Sequence, residues 1–312
     1  MLCNESKNVK PMIDDESPEI ESTELPHPSE LNDLPVTVDA PATRDQSASI
    51  ERPVVESPEL RILHEEPHFL VVDKPVGLFT QAASGVESVQ TRLTAQLKAR
   101  DQHTGTPFVG LPHRLDRGTS GVLLIARNQR ALSRFGEQFH SRKIGKYYFA
   151  AVVGELPDEA LEWTDYVRKV VDQPIAEICD AAAEGAKLAQ LTVKRLATAG
   201  GVSLLLIKLH TGRMHQIRIQ AASRGLRILG DVTYGGPEFF DIDDESDDEG
   251  ELASMALHAL RLEIRHPQTA KQLAFTASPP STWENLPREL FNAMKECVAR
   301  SCAENNVAWS AL

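Results

Sequence analysis

The chain is poor in cysteine, in aromatic residues and in long apolar runs. Its four cysteines, Cys3, Cys179, Cys297 and Cys302, form no Cys-x-x-Cys pair, which argues against a disulfide framework or a structural zinc and suits a reducing compartment. The longest strongly apolar run is Val202 to Ile207, interrupted only by Ser203, far short of the ~20 residues that cross a bilayer. A soluble, cytoplasmic protein with no membrane contact is therefore expected. Residues 1–58 contain no glycine, phenylalanine, tyrosine or tryptophan, yet hold eight of the nineteen prolines. Such a segment cannot bury enough apolar surface to offset the entropy of ordering, so it reads as a disordered, acidic, proline-rich tail. It has neither the apolar stretch of a secretory signal nor the arginines of a transit peptide.

The charge is unevenly distributed. Residues 1–58 carry 13 acids and 4 bases, and residues 238–251 carry 9 acids and no base, so each segment contributes -9 to a formal total of -12. The remainder therefore stands at +6. An overall pI near 5.3 hides a basic body with two acidic appendages, and a basic body suits a polyanionic partner. With 41% hydrophobic residues, the body is long enough to bury a sizeable core. The boundaries read as 59–300 for the folded domain, 238–252 for a disordered acidic loop inside it, and 301–312 for a C-terminal tail.

The element pattern predicts paired strands. Arg61 to His64 and Phe69 to Val72 flank a turn at Glu65-Glu66-Pro67, and Val89, Leu93 and Leu97 mark a helix from Ser88 to Arg100. A strand over 121–127 precedes a helix capped by Asn128, with Leu132, Phe135 and Phe139 as its apolar stripe. Tyr147 to Val153 reads as a strand covered on both faces. Leu191 to Leu196 and Val202 to Leu209 form a hairpin, followed by a helix from Met214 to Gly225. Strands at 256–264 and 272–276 and a helix over 285–300 complete the domain. Adjacent strand pairs without regular strand-helix alternation predict an α+β fold: a mixed, mainly antiparallel central sheet flanked by helices.

Two polar clusters stand out. In His113-Arg114-Leu115-Asp116-Arg117-Gly118-Thr119-Ser120-Gly121, one acid sits between two guanidinium groups at the mouth of a strand. The arginines favour its ionised form, and the glycines permit a tight turn. Alone, such a cluster is more often a solvated ion-pair patch. In Thr211-Gly212-Arg213-Met214-His215-Gln216-Ile217-Arg218, the expected helix puts His215 and Arg218 on one face and Arg213 at its positive end, a favourable place for phosphate.

These two clusters, with Lys74-Pro75-x-Gly77, Lys146-x-Tyr148-x-Ala150, Ile228-Leu229-Gly230-Asp231, Tyr234-Gly235-Gly236 and Ala256-Leu257-His258-Ala259, resemble the RluA-type pseudouridine synthases, in order, from about residue 60 to 280. The resemblance implies an enzyme that isomerises uridine in RNA without cofactor or metal, breaking the N1–C1′ bond and rejoining the base through C5. It implies Asp116 as the catalytic aspartate, Tyr148 as the tyrosine that stacks on the base and takes the C5 proton, and Arg218 as the partner of the acid. His113, Arg114, Arg117, Thr119, Arg213, His215 and Gln216 are expected to bind substrate, with Arg114, Arg117 and Arg213 chiefly handling phosphates. Ribosomal RNA is the expected partner and tRNA the next, with the chain acting as a monomer. Three positions depart from the family pattern: Gln220 where histidine is usual, Arg227 where proline is usual, and Ser254 where arginine is often seen.

The physics is compatible. A paired uridine hides C1′ and C6, so it must be flipped out at a cost of a few kcal/mol, of which stacking on an aromatic ring returns about 1–3 kcal/mol. Three routes fit an ionised Asp116: attack on C1′, attack on C6, or removal of the C2′ proton. A metal enzyme is a rival, but no two of His113, His210, His215, His258 and His266 have His-x-x-His or His-Glu-x-x-His spacing. A glycoside hydrolase needs a second carboxylate, for which only Asp231 is near the motifs. A catalytically inactive RNA-binding protein of the same fold is the third alternative.

Overall fold

The computed structural model describes residues 58–102, 104–239 and 255–303. The chain divides into Met1–Val54 and Val55–Leu312. The expected tail, most of the acidic loop, the end of the C-terminal tail and Ser254 lie outside the described residues.

Among the described residues, ten strands form one sheet: β1 (Arg61–Glu66), β2 (Phe69–Lys74), β3 (Ser120–Ala126), β4 (Gly145–Val153), β5 (Leu161–Lys169), β6 (Ala176–Cys179), β7 (Lys187–Ala199), β8 (Val202–Leu209), β9 (Leu257–Arg265) and β10 (Gln272–Thr276). Their order is β1-β2-β3-β9-β4-β8-β7-β5-β6, with β10 paired to the C-terminal part of β9. Every pairing is antiparallel except β3 with β9, which meet at Ser120↔His258 and Gly121↔Ala259. The helices are α1 (Val89–Arg100), α2 (Gln129–His140), α3 (Gln216–Ala222) and α4 (Arg288–Ala303). This is the expected α+β architecture. No helix among the described residues is long and apolar enough to cross a membrane.

Alternation along β2 and β3 builds two cores. Leu70, Val72, Leu123 and Ile125 pack in one cluster with Val89, Leu93 and Leu97 of α1. Phe69, Val71, Val122 and Leu124 join Ala131 and Phe135 of α2 in the other. With both faces covered, every residue of β3 is buried. Each large apolar side chain so buried contributes about 1.5–3 kcal/mol. Both helices start where their caps predict. The Ser88 hydroxyl accepts from the Thr91 N–H, and Asn128 Oδ1 accepts from the Ala131 N–H at 2.8 Å.

The parallel contact brings the Asp116 loop to the centre of the sheet, and it depends on Gly121. That residue has φ +107°, and a Cβ there would lie 2.2 Å from the Ala259 carbonyl oxygen.

Four expectations need correction. The turn after β1 is shorter than predicted, because Glu65 and Glu66 still pair with Leu70 and Phe69. The helix expected from Met214 begins at Gln216, because His215 takes a left-handed conformation (φ +50°) and blocks helical continuity with the preceding residues. The last helix begins at Arg288, after a 3-10 turn over Ser281–Asn285. Leu286 precedes Pro287 and is extended, which separates the two. The helix also runs to Ala303, past the predicted domain end at 300.

Candidate active site

Asp116 sits in a loop whose main chain is fixed from beneath. The Thr80 hydroxyl donates to the Leu115 carbonyl at 2.7 Å and accepts from the Leu115 N–H at 3.0 Å. Lys74 is fully buried at the end of β2, and its Nζ donates to the carbonyls of Pro75, Arg117 and Thr119 at 2.9, 3.1 and 2.8 Å. Burial pushes the Lys74 pKa down to about 7, opposed by the nearby Asp116 and reinforced by Arg117. The Gly77 N–H and the Arg117 carbonyl pair at 3.0 Å, and Arg117 Nε returns to the Gly77 carbonyl at 2.7 Å. A turn closed by the Thr119 N–H on the Asp116 carbonyl, at 3.0 Å, points the acid outward.

The Asp116 carboxylate keeps 23% of its side-chain surface exposed. It faces Arg218 Nη1 at 3.5 Å and His215 Nε2 at 3.9 Å. Arg218 is held by its other nitrogens. Nε and Nη2 fork onto Asp231 at 2.7 and 2.6 Å, and the guanidinium lies 5.0 Å from the Tyr234 ring centroid. Burial works against the charge of Arg218, but the hydrogen-bonded Asp231 and the charge of Asp116 outweigh it and raise the pKa. Asp231 is almost fully buried, so this fork is an internal ion pair with one N–H edge left for Asp116. Tyr234 ties the group to the start of β6: its hydroxyl accepts from the Ala176 N–H at 2.8 Å and lies 3.0 Å from His215 Nδ1. Burial lowers the pKa of His215, partly offset by Asp116.

Two cavities, of about 580 and 620 Å³, meet at Arg114, Asp116, His215 and Arg218. Tyr148 lines the first. It pairs with Ile207 of β8 and Ala259 of β9, next to an irregularity in the β4–β9 register between Tyr147 and Tyr148. Its hydroxyl has no hydrogen-bond partner among the described residues. Burial, then the charge of Asp116, pushes its pKa well above the usual phenol value, so the free protein holds a neutral phenol. The same cavity has a basic wall of Lys146, Arg142 and Arg213. Lys146 Nζ donates to the Thr211 carbonyl at 3.1 Å, and burial with the neighbouring Arg213 and Arg142 lowers its pKa to about 8.

The predicted residues converge, but they are not equally available. Asp116, Tyr148, Arg114, His215 and Arg218 face cavity space. Arg114 is exposed and makes no side-chain hydrogen bond or ion pair among the described residues. Arg213 precedes the short α3 and does not sit in its first turn; its Nε donates to the Leu188 carbonyl at 2.9 Å. Thr119 is buried beneath the turn, where its carbonyl receives Lys74.

Two residues expected to bind substrate, His113 and Gln216, line the first cavity and also bond inside the protein. His113 Nε2 accepts from the Leu124 N–H at 3.0 Å and its ring stacks on Phe139, and burial lowers its pKa to about 3. Gln216 accepts from the Thr211 hydroxyl and the Arg213 N–H, and donates to the Gln190 carbonyl and to Gln220. Gln220, at the position that departs from the family pattern, donates to Asp165 at 2.6 Å, so its amide is absorbed by the interior. Arg227 lies on the surface, where its Nη1 reaches the Gly235 carbonyl.

Lys74, Asp231 and Tyr234 were not predicted as functional. Each lies inside a short string that carries the resemblance, and that was the available signal. One string does carry the His-Glu-x-x-His spacing, His64-Glu65-Glu66-Pro67-His68, but it spans the β1–β2 turn, so its imidazoles share no helix face. Among the described residues, no three His, Cys, Asp or Glu side chains are grouped to hold a metal ion.

The RNA pseudouridylate synthase family model matches residues 68–223, half of the chain. A ribosomal large subunit pseudouridine synthase D from Xanthomonas campestris is 33% identical over 247 residues, covering 78% of this chain and 71% of that protein. One of the same name from Nitrosomonas europaea is 30% identical over 243 residues, covering 77% and 68%. Human RNA pseudouridylate synthase domain containing 4 superposes with a TM-score of 0.59 at 20% identity, covering 75% of this chain and 93% of that one. Domain containing 1 superposes with a TM-score of 0.56 at 24% identity, covering 83% and 100%. The two human structures speak to the fold alone; the sequence matches reach further, and by them this chain belongs to the RNA pseudouridylate synthase family.

Proposed function

We propose that this RNA pseudouridine synthase acts on ribosomal RNA, with Asp116 as the catalytic carboxylate. The observation that carries this reading is the Asp116 carboxylate itself: anchored only through its main chain, 3.5 Å from Arg218, and opening on the cavity that Tyr148 lines. Relatives named for the ribosomal large subunit support the substrate. A basic body supports RNA in general.

A uridine flipped into the first cavity stacks on Tyr148, while Lys146, Arg142 and Arg213 receive its phosphates. Arg218 faces the Asp116 carboxylate at 3.5 Å and orients it. The N1–C1′ bond breaks, the base turns, C5 bonds to C1′, the proton on C5 leaves and N1 gains one. Tyr148 starts as a neutral phenol, so stacking is its first task.

The test is nucleoside analysis of unmodified ribosomal RNA and tRNA after incubation with the protein. New pseudouridine in ribosomal RNA alone is the expected outcome. Pseudouridine formed only in tRNA would overturn the substrate assignment.

A further inference from the structure

The second cavity lies on the Phe79 side of Asp116, and the reaction as derived leaves it empty. It is bounded by Phe79, Gln81, Arg117, Pro174, Val232 and Thr233, and it shares Arg114, Asp116, His215 and Arg218 with the cavity assigned to the uridine. At about 620 Å³ it falls within the ~300–1,000 Å³ of small-molecule sites. Its apolar wall is unusual for an open surface: Phe79 is 38% exposed and Val232 65% exposed.

Phe79 is held firmly relative to the acid. Its carbonyl accepts from the Val89 N–H at 2.7 Å, and the next residue, Thr80, is the one whose hydroxyl grips Leu115. The Arg117 guanidinium lies 5.0 Å from the Phe79 ring centroid. Arg114, with no side-chain partner among the described residues, stands where the two cavities meet. A fixed, partly exposed aromatic ring with two guanidinium groups beside it matches a planar, electron-rich base joined to a phosphate. An RNA strand with its target nucleotide at Asp116 necessarily carries neighbours one nucleotide away on either side.

We propose that the second cavity is a subsite for a nucleotide flanking the target uridine, whose base stacks on Phe79 while Arg114 and Arg117 take the adjoining phosphate. This rests on the reading of the first cavity as the uridine site. The subsite makes Phe79 a direct substrate contact and gives the enzyme a hold on a second base.

The test uses the full chain and a fluorescein-labelled ten-nucleotide single-stranded RNA with one central uridine, with dissociation constants taken from anisotropy. It needs no turnover, so it is separable from pseudouridine formation, whose absence with ribosomal RNA would defeat the functional reading instead. Phe79→Ala is expected to weaken binding about tenfold and Phe79→Tyr to recover most of the loss. Replacing one flanking nucleotide by an abasic one should weaken wild-type binding about tenfold and Phe79→Ala binding no further, since both changes remove the same stack. A merely structural Phe79 would not show that non-additivity. The proposal is overturned if Phe79→Ala binds as tightly as wild type, if abasic substitution on both sides multiplies with Phe79→Ala, or if the wild type does not bind.

Discussion

The two halves of the site are built by opposite means. Asp116 is fixed through its main chain: Thr80, Lys74 and Gly77 grip carbonyls and N–H groups of residues 115–119, and the carboxylate itself has no hydrogen bond to its own loop. Arg218 is fixed through its side chain, by Asp231 and Tyr234, and offers the acid only its remaining edge. The comparison teaches where function and stability separate. A group held by its main chain can be altered without disturbing the scaffold, whereas a group held by its side chain cannot.

The largest expected effect falls on the acid half. Asp116→Asn should lower turnover by about a thousandfold or more with its melting temperature little changed, because Arg218 keeps its fork on Asp231 when the charge facing it is lost. Unfolding measured alongside activity would break the comparison if the variant were strongly destabilised. Arg218→Ala should damage both properties, since it strands the buried Asp231. A loss of about 3–5 kcal/mol is expected in denaturant unfolding, with Arg218→Lys intermediate because an ammonium cannot fork onto a carboxylate. Lys74→Met leaves the Pro75 and Thr119 carbonyls without their donor, each worth about 1–3 kcal/mol when orphaned, while the Arg117 carbonyl keeps the Gly77 N–H. It should lower kcat with Asp116 intact, and an unaffected kcat would show that the loop does not need its anchor. Tyr234→Phe removes one hydroxyl from the arginine half, and a loss of about 1 kcal/mol is expected.

A pH-dependent effect sharpens the stem of the acid loop. His258 is fully buried, with Nδ1 2.9 Å from the Ser120 hydroxyl and Nε2 3.1 Å from the Ala277 carbonyl, and burial lowers its pKa to about 4. The folded pKa lies below the unfolded value of about 6.5, so the unfolded chain binds the proton first. Stability should therefore fall as pH drops from about 6.5 to about 4, by up to about 1.4 kcal/mol per pH unit from this residue. Unfolding at pH 7 and pH 5 measures the slope, and His258→Gln should flatten it.

The sequence made the acid and its arginine legible because both lie in dense polar strings beside clear apolar periodicity. It did not show what holds them. Asp231 lies thirteen residues beyond Arg218, across the end of α3, and nothing local distinguishes an acid that forks onto a buried arginine from one in solvent. Lys74 closes a strand and reads as a surface charge until β3 and the Asp116 loop cover it. The internal bonds of His113 Nε2 and of the Gln216 amide were not legible because their partners, the Leu124 N–H and the Gln190 carbonyl, are backbone groups. The start of α3 was misplaced for a related reason: the left-handed His215 has no signature in residue type. Strands β5 and β6 went unpredicted because charged residues such as Glu162 and Asp165 interrupt the run from Leu161 to Lys169 at the far side of the sheet.

The most direct test of the central claim is tritium release from ribosomal RNA labelled at C5 of uridine, with wild type and Asp116→Asn in parallel at matched thermal stability. Release by the wild type and none by the variant is the predicted result. Equal release by both would contradict the assignment of Asp116 as the catalytic carboxylate.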